Sequence, residues 1–383
     1  MKKFYIFVLS FMFVFAPLFS IDFGGKVNST TLLHGNTFKT LKWFESASIH
    51  GWLSSVFNEK YQLKLSSDIS YEFRYNQDDG SIRNILDINL LKLSSQVTSG
   101  ANRLETAIGR FAINDITNSI FNQVCDGANV HYSGQWLAIN GYIGITRLLN
   151  MHDVVMLQET DDTTVPTDTA KAVYVIGPAY IPIGLTFAFP SLFLNQTLSA
   201  EAWAFIDASN SYNRFYATIA LSGPFYKNIF YNASTTFGSE NMQTLSNLTK
   251  FDFVYYPVPN ARVGFNMFYA SGNQKGVDKF RGFTSMTAIL ATDTVELTNE
   301  YDSKIKLGIN ASYTIASRVY IGADLGAVFT APDKVSYNGF QWAFNVVWNI
   351  FHDLQLAAGM YQYISVVDLN NKTSFSLSGT FVF

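Results

Sequence analysis

Charge is scarce in this sequence: Asp, Glu, Lys and Arg make up 14% of its 383 residues, against about 25% in an average globular chain. The 26 basic and 29 acidic residues leave a net charge of -3, so no basic footprint for nucleic acid exists and no such partner is expected. A single cysteine, Cys125, excludes an internal disulfide framework and any cysteine-based zinc site. The five histidines, His34, His50, His131, His152 and His352, are scattered, with none at helical ligand spacing from another. Neither a G-x-S-x-G nor a phosphate-loop pattern occurs. No cofactor, metal or enzymatic activity is therefore expected. Ser48 and His50 do share one strand face two residues apart, as a lipase-like site in a barrel would, but polar residues are frequent on every strand here.

Aromatics, by contrast, are abundant at 16%, while the mean hydropathy is only +0.10, too low for a bundle of apolar membrane helices. A β-barrel in lipid accounts for both, because polar lumen residues alternate with apolar outward ones. The one apolar run near the amino terminus, Phe4 to Phe15, follows Lys2 and Lys3 and is too short to span a bilayer comfortably. Residues 1–20 read as an export signal with residues 21–383 as one barrel domain; the cleavage point stays open between Ala16 and Ser20.

Period-two alternation carries the strand assignment. In KYQLKLSSDISYEFRYN (60–76), Tyr61, Leu63, Leu65, Ile69, Tyr71, Phe73 and Tyr75 alternate with Lys64, Asp68, Glu72 and Arg74. SKIKLGINASYTI (303–315) repeats the pattern, with Lys304 and Lys306 on the wet face, and Trp342, Phe344, Val346, Trp348 and Ile350 repeat it again. Soluble sandwiches alternate too. These strands are longer than the roughly 5–6 residues of globular sheets, and their aromatics gather toward the ends, where interfacial girdles lie.

Eighteen candidate strands result: 22–34, 43–57, 60–75, 82–97, 103–112, 128–134, 136–147, 171–189, 194–208, 212–222, 225–238, 244–256, 259–271, 301–315, 317–330, 339–350, 353–366 and 372–383. The expected fold is all-β, a transmembrane antiparallel meander barrel of about 18 strands, with 16 the alternative. Tight turns at 58–59, 223–224, 257–259 and 351–353 then fall on one rim. Longer loops at 113–127, 148–170 and 272–300 fall on the other, and the acidic stretch 158–169 reads as mobile. The uncharged segment AVYVIGPAYIPIGLTFAFP (172–190) contains Pro178 and Pro182, which argue against a helix; it reads as one long, bulged strand.

The segment IGRFAINDITNSIFNQVCDGANVHYSGQWLAINGYIGI (108–145) places Gly109-Arg110 at a strand end and Asp126-Gly127 at the next strand start, around the third outer loop. Here the chain resembles bacterial outer-membrane porins, in which a third loop folds inward and narrows the channel. The resemblance makes Arg110, Asn114, Asp115 and Asp126 candidates for the constriction. The wall charges Lys64, Asp68, Glu72, Arg74, Asp87, Lys304, Lys306 and Asp324 are mixed in sign, so strong ion selectivity is not expected.

The closing SFSLSGTFVF adds a second likeness to outer-membrane barrels, whose last strand seals the sheet and carries the signal for the assembly machinery. Phe375, Leu377, Phe381 and Phe383 fit that row, while Gly379 departs from it. The resemblance implies a bacterial outer-membrane channel for small hydrophilic solutes, in contact with outer-membrane lipid, with a homo-oligomer left open. Two other readings compete: a barrel resembling fatty-acid transporters, disfavoured by the lack of room for an amino-terminal hatch, and an adhesin displaying loops 148–170 and 272–300.

Overall fold

The computed structural model describes residues 20–383 apart from 38, 59–60, 79, 153, 155, 157–171, 209–211, 273–276, 285–299, 332–333 and 368–370. Residues 1–19 of the expected export signal and the acidic stretch 158–169 therefore lie outside the described residues, while Ser20 already pairs in the sheet.

Alternating side chains along antiparallel neighbours generate one sheet that closes on itself. In chain order its first strands are β1 (Ser20–Gly35), β2 (Lys42–Asn58), β3 (Leu63–Asn76), β4 (Ser81–Ser99), β5 (Asn102–Asn114), β6 (Asn122–Ser133) and β7 (Ala138–Ile145). There follow β8 (Tyr180–Phe189), β9 (Thr197–Asp207), β10 (Arg214–Tyr226), β11 (Ile229–Glu240), β12 (Ser246–Val258) and β13 (Ala261–Ala270). Two short strands, β14 (Phe280–Arg281) and β15 (Glu300–Tyr301), pair with each other inside a loop. The wall resumes with β16 (Lys304–Ile315), β17 (Val319–Thr330), β18 (Ser336–Asn349), β19 (Leu354–Ser365) and β20 (Lys372–Val382).

Without β14 and β15 the wall has 18 strands, each matching one expected from the alternation. Closure is made by β1 and β20, paired from Lys26↔Val382 to Gly35↔Thr373. Phe383 extends the seam: its N–H donates to Gly25 O at 2.9 Å, and its carbonyl accepts from Gly25 N at 2.8 Å. The Phe383 ring lies where a Cβ on Gly25 would sit, 2.5 Å from Cζ, so this close approach needs glycine.

Three expectations are corrected. The loop expected at 113–127 shrinks to 115–121, because β5 and β6 pair out to Asn114↔Asn122. The turn expected at 223–224 lies at 227–228, since Gly223 and Pro224 pair with Tyr231 and Phe230. Residues 172–179 do not extend a bulged strand; only Tyr180–Phe189 is strand, and its pairing with β7 stops at Ile183, one residue short of Pro182. A proline cannot donate to a ladder, so it marks where the sheet lets go. The segment before it belongs to the β7–β8 connection.

Short connections join β2 to β3, β4 to β5, β10 to β11 and β12 to β13 on one rim; the two long ones, 146–179 and 271–303, lie on the other. On β16, Leu307, Ile309 and Tyr313 are exposed outward, and Lys304, Lys306 and Asn310 occupy the opposite face. Ile309→Arg is expected to cost about 2–4 kcal/mol in a bilayer, whereas Asn310→Arg on the neighbouring lumen position should be tolerated. Urea titration of the two variants folded into lipid vesicles checks this; equal costs would contradict the assigned faces.

Candidate functional site

The end of the β5–β6 hairpin folds into the lumen. β5 pairs with β4 only as far as Leu91↔Arg110, then continues with β6 alone to Asn114↔Asn122. The departure point is Gly109, with φ +119 and its missing Cβ only 2.1 Å from Leu91 O. No other residue fits that backbone and that contact, so glycine permits the inward bend.

The tip of the hairpin is organised by Asp115, 0% exposed. Its Oδ1 accepts from the N–H groups of Ser119, Ile120 and Phe121 at 2.8–2.9 Å, and its Oδ2 accepts from Thr117 N at 2.9 Å and Thr117 Oγ1 at 2.5 Å. A carboxylate satisfied by five donors folds a seven-residue loop into a rigid knot. The wall three and six strands further round holds that knot. Glu201 on β9 accepts from Ile116 N at 3.1 Å and from Thr186 Oγ1 at 2.8 Å. Lys250 on β12 donates to Thr117 O at 2.9 Å and Ser119 Oγ at 3.1 Å.

Apolar packing completes the dock. Strand β9 inverts the usual pattern, turning Trp203 and Phe205 inward while Ala200, Ala202 and Ala204 lie on its outward face. Large apolar side chains inside a barrel need a cover. The hairpin supplies Phe121, 5.6 Å from Trp203 and 5.4 Å from Phe205, and the β13–β16 loop supplies Phe283, stacked 3.8 Å from Phe205. The two inward segments join directly, with Phe283 N and Thr284 N both donating to Ile120 O. Arg281 of the same loop donates to Glu240 and Glu300 at the rim, where Arg214 pairs with Glu240 at 2.8 Å. Burial raises the Tyr212 phenol, which donates to Glu240, above the usual tyrosine range.

The inward bend strips β4 of its neighbour above Leu91, and the β7–β8 connection fills the gap. Leu86 N donates to Val173 O at 3.1 Å, and Asn150 Nδ2 donates to Leu86 O at 3.4 Å. Arg110 fastens this seam. Only 7% exposed, it contacts Asp126 at 2.7 Å, Ile88 O at 3.3 Å, Tyr174 Oη at 3.1 Å, Asp87 at 3.5 Å and Leu148 O.

The four constriction candidates thus lie in one hairpin but in different settings. Arg110 and Asp126 hold the seam, and Asp115 is inside the knot. Asn114, exposed and bonded to Asn118 at 2.7 Å, lines a cavity of about 420 Å³ with Lys64, Lys92, Glu105 and His131. The wall charges take the face opposite the outward apolar row. Glu72 accepts from Arg74 at 2.6 and 2.8 Å, Asp68 faces His50 at 3.5 Å, and Lys306, 6% exposed, faces Asp324 at 3.4 Å. Lys304 shares the inward row with Lys306. Leu377, Phe381 and Phe383 are exposed outward, with Phe375 half-buried in the same row. Glu201 and Lys250 were not singled out from sequence; the inward aromatic row beside Glu201 was the available signal.

No protein-family model matches this chain, and no curated protein matches it. Solved structures do. Pseudomonas aeruginosa OccK5 (OpdH) superposes with a TM-score of 0.62 over 94% of this chain and 98% of its own, at 11% identity. P. aeruginosa OpdL gives 0.62 over 95% and 99%, also at 11% identity. The outer membrane protein OpdK of the same organism gives 0.58 over 94% and 99%, at 9% identity. The chain has a porin fold. In this porin fold the third outer connection is the one that turns inward.

Asp115→Ala is expected to leave four buried N–H donors without an acceptor, at about 1–3 kcal/mol each before relaxation. Amide exchange in residues 115–121 should accelerate by at least about tenfold while exchange in β16–β18 stays as in the native protein. Unchanged protection at the tip would contradict the knot.

Proposed function

We propose that this chain forms an outer-membrane channel through which small hydrophilic solutes diffuse, with its bore set by the docked β5–β6 hairpin. The observation that carries the reading is a closed barrel, apolar outside, whose lumen is entered by a hairpin held by Glu201 of β9 and Lys250 of β12. A wall of 18 strands is too wide for its own side chains to fill, so the inward segments decide how much passage remains. Facing charges of both signs, Glu72 with Arg74 and Lys306 with Asp324, favour polar and ionic solutes over apolar ones. P. aeruginosa OpdK has been solved with vanillate, which accords with passage of small molecules through this fold.

A route for hydrophobic compounds has less support, because the apolar lumen residues Trp203, Phe205 and Tyr216 are packed beneath Phe121, Phe280 and Phe283. Purified protein in planar bilayers should give discrete conductance steps; a folded preparation that gives none would overturn the channel reading. The double variant Glu201→Ala/Lys250→Ala loses charged hydrogen bonds worth about 1.5–3 kcal/mol each. Its steps should be larger and noisier than the native ones, and steps of native size would show that the dock does not set the bore.

A further inference from the structure

Midway along β2, Ser48 and His50 share the lumen face, and the fold brings Asp68 of β3 to the other side of the imidazole. Ser48 Oγ lies 3.4 Å from His50 Nε2, and His50 Nδ1 lies 3.5 Å from Asp68 Oδ1. Asn89, the bulged residue of β4, donates from Nδ2 to the same Asp68 oxygen at 3.0 Å and lies 3.4 Å from His50 Nδ1. On the opposite side, Asn28 Nδ2 of β1 is 3.5 Å from Ser48 Oγ, and Lys26 is the register partner of His50. Hydroxyl, imidazole and carboxylate thus stand in the order that nucleophilic catalysis requires, with an amide donor beside the hydroxyl.

We propose that Ser48, His50 and Asp68 form a hydrolytic site in the lumen wall, acting on esters of carboxylic acids small enough to enter. Its accessibility rests on the lumen-facing assignment of these strands. With the Nδ1 proton directed to Asp68, the Nε2 lone pair faces Ser48. Ser48 Oγ attacks the ester carbonyl carbon as Nε2 takes its proton, and Asn28 Nδ2 is positioned to donate to the oxyanion that forms. The bond to the alcohol oxygen then breaks, and the alcohol leaves with the proton from Nε2. Water, deprotonated by the same nitrogen, cleaves the acyl–serine ester and releases the carboxylic acid, which restores Ser48. One oxyanion donor and contacts at the long end of hydrogen-bond reach suit an alcohol leaving group rather than an amine. Asp68 is a positioning residue, since it acts through His50.

The test uses the full chain folded in detergent micelles, with aliquots from the same preparation examined in planar bilayers. A fluorophosphonate probe should attach to Ser48, located by peptide mapping, and p-nitrophenyl acetate should be hydrolysed. Ser48→Ala should abolish both and leave conductance steps unchanged. His50→Gln should slow both by about 10²-fold or more. Asp68→Asn should lower kcat with KM unchanged, which a merely structural carboxylate would not do. A conducting preparation that acquires no adduct at Ser48, or a Ser48→Ala variant that hydrolyses the ester as fast as the native chain, would overturn the proposal. Labelling of a preparation that does not conduct would support the hydrolytic site and count against the channel, so the two readings fail separately.

Discussion

A closed sheet in lipid has no spare edge, and this barrel opens one as soon as β5 turns inward at Gly109. Every backbone group in the hydrocarbon region must find a partner within the protein. The stretch of β4 above Leu91 therefore depends on the β7–β8 connection for its hydrogen bonds, and that connection depends on Arg110 and Tyr174 for its place. One glycine conformation thus governs both the entry of the hairpin into the lumen and the repair of the wall.

The same bend explains where polar and apolar residues are spent. Arg110, Asp115, Glu201 and Lys250 are charged residues in the interior, yet each is occupied by protein partners. Their burial, partial for Lys250, is tolerated because each is hydrogen-bonded to protein partners, and removing any partner exposes the desolvation cost of the other. The inward aromatics of β9 and β10 are the apolar counterpart: the hairpin and the β13–β16 loop dry them, forming a core inside the barrel on one side only. Polar wall residues of β2, β3, β16 and β17 remain on the inward faces elsewhere.

Much of the architecture was legible because a barrel strand writes its two faces into the sequence with period two. Tyr71 and Phe73 against Glu72 and Arg74 suffice to place β3, and the same logic yields all 18 wall strands. The reading failed where the chain leaves the sheet without losing its apolar character. Residues 172–179 look like strand but serve as a sealing strip, and only Pro178 and Pro182 hinted at the difference. Arg110 was visible as an inward-loop marker, but its destination was not, since Asp87, Leu148 and Tyr174 come from distant segments. Likewise, nothing local to Glu201 or Lys250 says that a hairpin tip will arrive there, nor does β2 alone say that Asp68 will face His50.

The central claim is that the β5–β6 hairpin folds into the lumen and docks on β9. Cysteines placed by Ile116→Cys and Glu201→Cys, in a Cys125→Ser background, can be treated with a short bifunctional thiol reagent after the protein is folded into lipid vesicles. The account predicts an intramolecular cross-link between residues 116 and 201 in most molecules. Absence of that link, with both thiols shown to react singly, would contradict it.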